Sequence, residues 1–138
     1  MTIKLKKRAT EESTFSIVVS FLDEDEESLA PNSVNWNLTT LDGTVINSQL
    51  NQEETAASSI TITMSGEDLK LLPSESGEEY VRRLVTIRAK YNSDVGDNLD
   101  LVDDIEFEIK ANVLIPYVHK VSVYDSVGVS ESVTISLP

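Results

Sequence analysis

Alternation of apolar and polar residues with a period of two runs through most of this 138-residue chain, and it limits the fold more than any other feature. Side chains repeat every second residue on a strand and about every 3.6 on a helix. Phe15, Ile17, Val19 and Phe21 share one face, with Ser16, Val18 and Ser20 opposite. Val34, Trp36 and Leu38 alternate with Asn35, Asn37 and Thr39, and Ile60, Ile62 and Met64 with Thr61 and Thr63. Val81, Arg83, Val85, Ile87 and Ala89 continue the pattern, as do Ile105, Phe107 and Ile109. With a first strand over 3–8, and a return strand at Val45-Ile46 after the Asp42-Gly43 turn, this predicts seven strands by residue 111. One stretch, 65–72, reads as a single helical turn. Ser65 suits its N-cap, Glu67 and Asp68 suit its first turn, and Pro73 stops it.

Short strands with turn signals and no crossover helices predict an antiparallel sandwich rather than a parallel sheet. Trp36, the only Trp, lies midway along the third strand, where immunoglobulin-like domains bury one between their sheets. Tyr80 opens the sixth strand at the place of a corner tyrosine. The expected fold is therefore all-β: an immunoglobulin-like antiparallel sandwich of about seven strands over residues 1–111. Its expected core contains Phe15, Val19, Trp36, Tyr80, Val85, Ile87 and Phe107. The chain has no Cys, so packing alone must hold the sheets together.

Residues 112–138 are surplus to seven strands and are expected to form an extended β arm. Val121, Val123, Val127, Val129, Val133 and Ile135 fall on one face, with Ser, Thr, Gly and Tyr between them. A ribbon with one apolar face and no partner is an exposed sheet edge. Pairing with another chain, including another copy, is the expected use of the arm. Folding back as an eighth strand of the same sandwich is the alternative.

Charge divides the chain. There are 11 Lys and Arg against 24 Asp and Glu, a net −13, and Lys4, Lys6, Lys7 and Arg8 all precede the first acid. That basic arm either forms a first strand with solvated lysines or docks on an acidic neighbour, where complementarity guides orientation. The acidic body is a poor match for nucleic acid, whose affinity comes from neutralising phosphates. No segment approaches the ~18 apolar residues of a membrane span. The basic start is followed by Ala9-Thr10-Glu11-Glu12 and not by a signal peptide's apolar run, so no secretory route is expected.

Chemistry finds little purchase. Without Cys there is no thiolate metal site or cysteine nucleophile, and His119 is the only imidazole. The five Gly are scattered, so no phosphate loop forms, and no Gly-x-Ser-x-Gly elbow occurs. No catalytic residues and no cofactor are expected. Two acidic runs, one holding Asp23 and Asp25 and the other Asp97 and Asp100, are expected in loops at one end of the sandwich, where calcium would find oxygen ligands. Neither run matches a calcium-loop pattern, and solvated loops are the simpler expectation.

The chain also resembles small immunoglobulin-like virion proteins of tailed bacteriophages. The resemblance rests on the opening from Lys4 to Phe15, on the stretch from Pro31 through Trp36 and Asp42-Gly43 to Asn47, and on Tyr91-Asn92-Ser93-Asp94 leading to Ile105-Glu106-Phe107. It spans roughly residues 3–110, and the Val- and Ser-rich end resembles repeats of phage structural proteins. The resemblance implies a virion component made in the host cytoplasm: a capsid decoration or cement protein, or a head–tail junction or tail part. It implies protein partners, namely the major capsid protein, other virion proteins and copies of this chain, and no catalytic residues. An extracellular adhesion or sugar-binding module is the competing expectation. It would require an exposed aromatic platform from Trp36, Tyr91, Tyr117 or Tyr124.

Overall fold

A computed structural model describes residues 2–112 and 129–136. In chain order the strands are β1 (Thr2–Lys4), β2 (Ala9–Thr10), β3 (Thr14–Leu22), β4 (Ser33–Thr39), β5 (Gln52–Glu54), β6 (Ser59–Ser65), β7 (Tyr80–Ser93), β8 (Gly96–Lys110) and β9 (Val129–Ser136). They form an all-β sandwich. One sheet has the order β1-β8-β7-β4-β5, with β2 also on β8, and the other has the order β6-β3-β9. Pairing β3 with β6 in one layer and β4, β7 and β8 in the other is the order of the immunoglobulin sandwich.

The alternating strands build the core as their period requires. Phe15, Ile17, Val19 and Phe21 of β3 and Ile60, Ile62 and Met64 of β6 face Trp36, Leu38, Val85, Ile87, Ile105, Phe107 and Ile109 from the opposite layer, all buried. Phe15 and Phe107 stack between the sheets, ring centroids 5.3 Å apart. Such a pair adds about 0.5–1.5 kcal/mol beyond its burial. Trp36 donates its indole N–H to Glu54 Oε1 at 3.0 Å, which ties β4 to the short edge strand β5.

Four expectations need correction. First, the pairing is not purely antiparallel: β1 and β2 run parallel to β8, and β9 runs parallel to β3. Parallel neighbours need long connections, and both ends of the chain have them, because each reaches its partner strand across most of the sequence. Second, Val45-Ile46 makes only a bridge to Thr39. Asn47, Ser48 and Asn51 take left-handed backbone and turn the chain away, and β5 pairs with β4 instead. Third, the acidic run around Asp97 and Asp100 is the first half of β8, in a long hairpin with β7. Fourth, Tyr80 is not in the core: it is 37% exposed, and the Arg8 guanidinium lies 4.6 Å over its ring. β7 turns Val81 and its alternate residues inward, so parity puts Tyr80 outside.

The helical turn forms as a 3-10 turn over Gly66–Leu69, with the Ser65 N–H donating to Asp68 Oδ2 at 3.1 Å. Pro73 opens a second one, Pro73–Glu75.

Candidate interaction surfaces

The two outer faces of the sandwich differ in chemistry. On the larger sheet, β7 turns Arg82, Arg88 and Lys90 outward, and β8 turns Asp100, Asp104, Glu106 and Glu108 the same way. Opposite charges meet across the ladder: Arg82 is registered with Glu108, and Lys90 Nζ lies 2.7 Å from Asp100 Oδ1. Thr86 donates to Asp104 at 2.9 Å.

The basic N-terminal arm belongs to this face. β1 lies on β8 with Lys4 beside Glu106, and Arg8 reaches Glu108 at 3.8 Å. Lys6 and Lys7 fall between β1 and β2, on the surface. The chain's own β8 thus supplies acidic neighbours to Lys4 and Arg8. The arm was expected at an interface because of its charge; within the fold Arg8 pairs with Glu108, while Lys6 and Lys7 remain exposed.

On the smaller sheet the outward row is different. β3 presents Thr14, Ser16, Val18, Ser20 and Leu22, β6 presents Ser59, Thr61, Thr63 and Ser65, and β9 presents Ser132 and Thr134. None of these is charged. Ser16 and Thr63 hydroxyls bond across the strands at 3.2 Å.

β9 itself lies where the sequence left two choices. Val129 registers with Phe15 and Ile135 with Phe21 of the same chain, and Val133 and Ile135 are buried. These residues were expected to reach a neighbour, but here they close the chain's own smaller sheet, because Phe15 to Phe21 leave an apolar edge for them to cover. Val121, Val123, Val127 and His119 lie outside the described residues.

The four calcium candidates do not converge. Asp23 Oδ1 accepts the backbone N–H groups of Asp25 and Glu27, each at 2.9 Å, and so closes its own turn. Asp97 and Asp100 project from β8, and Asp100 is held by Lys90. Asp23, Asp25 and Asp94 do border one hollow at the end of the sandwich. Among the described residues no group of three His, Cys, Asp or Glu is placed to hold a metal ion.

No protein-family model matches this chain, and no curated protein matches it.

Two polar anchors were not foreseen. Arg83 is completely buried on the core-facing row of β7 and makes a two-pronged bond to Glu75, 2.5 Å from Nη2 to Oε1 and 2.7 Å from Nη1 to Oε2. The Lys70 and Arg82 carbonyls accept further bonds from it. The Arg83 hydrogen bonds are the main cause that holds the Glu75 carboxyl below its ordinary range, and they outweigh partial burial, which acts the other way. Asp68, also buried, accepts from Asn47 and Gln49 side chains, each at 2.8 Å. It fastens the turning loop after β4 to the helical turn. The signal for Arg83 was a cation at an inward position between Val81 and Val85. Nothing local pointed to Glu75 as its partner.

A hollow of about 900 Å³ runs between Ile46, Leu71, Leu72 and Asn112 beside this anchor. Glu11, Glu67, Lys70, Glu78 and Glu79 also line it, and Lys70 lies 3.6 Å from Glu67. No helix among the described residues is long and apolar enough to cross a membrane.

Proposed function

We propose that this chain is a non-enzymatic structural protein of a phage virion, a decoration or cement subunit that reinforces an assembled shell. The observation that carries this reading is the division of its surface. One outer face is a ladder in which opposite charges pair, extended at its edge by the chain's own N-terminal strand. The other, among the described residues, is free of charge and bounded by open strand edges, which are templates for pairing with another chain. A shell component present in many copies needs one surface that meets neighbours and another that faces solvent. The resemblance of residues 3–110 to phage immunoglobulin-like proteins supports the same reading, and names the major capsid protein and copies of this chain as partners. A place at the head–tail junction or in the tail would use the same surfaces.

Burial of Trp36 and Tyr91 removes both from the exposed aromatic platform that the sugar-binding alternative requires, and Tyr117 and Tyr124 lie outside the described residues. The test is to purify particles from a host carrying the coding sequence in its own genome, and to locate the chain by immunogold microscopy and quantitative mass spectrometry. The expected result is many copies per particle on the head, and heads lacking the chain that rupture at lower temperature. Particles that contain none of it overturn the proposal.

A further inference from the structure

Sheet edges are where proteins defend themselves against pairing, and the edges here are not equally defended. β1 carries Lys4, β2 is only two residues long, and β5 carries Glu53 and Glu54. β9 sets Glu131 on the same row as the buried Val133 and Ile135, an inward charge of the kind that blunts an edge. β6 has none of these devices. Its seven residues hold no charge, no Pro and no bulge, and among the described residues it pairs, in unbroken register, with β3 on one side only.

The order of residues in β6 adds a second observation. Ser59-Ile60-Thr61-Ile62-Thr63-Met64-Ser65 reads almost the same in both directions about Ile62. A strand of this kind is complementary to itself when turned end for end. If two copies meet antiparallel on a two-fold axis through Ile62, Ser59 faces the second copy's Ser65, Ile60 its Met64, and Thr61 its Thr63. Hydroxyls then oppose hydroxyls on the outer face, and apolar side chains oppose apolar ones on the core face. Such Thr pairs and apolar pairs are favourable across strands, and a two-fold contact requires this self-matching.

We infer that β6 is a homodimer edge, at which two copies join their smaller sheets into one continuous sheet of order β9-β3-β6-β6-β3-β9. The occupant is a second copy for a reason of charge as well as sequence. Each copy carries −13, and β6 borders the face on which the described residues place none of it. This contact deepens the virion reading by naming how copies would join. It is tested on the isolated chain, so either idea can fail without the other.

Sedimentation equilibrium of the full chain is the experiment. The expected result is twice the chain mass, falling to a single chain in the variant Thr61→Lys/Thr63→Lys, because like charges then face each other across the axis. Mixing that variant with Thr61→Glu/Thr63→Glu is expected to restore the two-chain mass. A wild-type chain that stays at single mass up to hundreds of micromolar overturns the inference, and so does a Lys variant that keeps the two-chain mass. Should the charged variant not fold, the register is read by disulfide formation, which the absence of native Cys keeps clean. Thr61→Cys mixed with Thr63→Cys is expected to cross-link far more than either alone. Equal cross-linking in all three samples overturns the assigned register.

Discussion

Arg83 and Glu75 form one bond, but the two residues are not equivalent. Arg83 is fully buried, while Glu75 keeps 20% of its side chain in contact with water. Removing the carboxylate leaves a cation stranded in the core, whereas removing the cation leaves an anion that water can still reach. Breaking a buried pair from one side costs about 3–5 kcal/mol. Glu75→Ala is therefore expected near the upper end of that range and Arg83→Met well below it. The double variant is expected to regain part of the loss, as read by urea unfolding. The pair also sets an acid dependence. Because the folded Glu75 carboxyl titrates below its ordinary value, its stabilisation is complete above the ordinary carboxylate range. It is lost as pH falls through the lower folded value, where the native state must take up the proton. Wild type is expected to lose stability more steeply than the double variant over that acid window, as measured by unfolding midpoints against pH.

At the scale of elements, what could be read from sequence depended on whether a strand's partner rewrote its pattern. β3, β4, β6 and β7 keep strict alternation because one face is core and the other is solvent, and their inward residues are those that the pattern names. The first half of β8 was legible too, but masked. Leu99 and Leu101 continue the parity of Ile105 and Phe107 and pack against the core, while Asp97, Asp100 and Asp103 gave the stretch the look of a loop. β5 had no signal, since three polar residues at an edge need no apolar face. Its place follows from the left-handed residues that turn the chain beforehand, and from the Asp68 anchor. β9 shows the deeper limit. Its apolar row declared a strand with a buried face, yet pairing is a property of whatever edge lies nearest, and sequence alone does not name that edge. With Val133 and Ile135 under the smaller sheet, Ile135→Ala is expected to destabilise the chain by about 2–4 kcal/mol, measured by urea unfolding at low protein concentration. An arm reserved for a neighbour predicts no change there.

Taken whole, the molecule offers two routes by which copies could associate, and they respond to salt in opposite directions. A basic arm reaching an acidic neighbour gains its attraction from charge, so added salt weakens it. Pairing through β6 brings together two bodies of net −13 at a strip without charge. Its hydrogen bonds and apolar contacts are short-ranged, while the opposing repulsion acts over a Debye length of about 10 Å at 0.1 M salt and shrinks to about 3 Å at 1 M. Screening therefore removes the cost and leaves the gain. Arg8 of the arm already pairs with Glu108 of its own β8 and Lys4 lies beside Glu106, which lowers the attraction the arm offers another copy. Self-association of the full chain is thus expected to tighten steadily from low to high salt. Sedimentation equilibrium across a salt series reads the sign directly. Weakening with salt would assign association to the basic arm and leave β6 as a solvated edge.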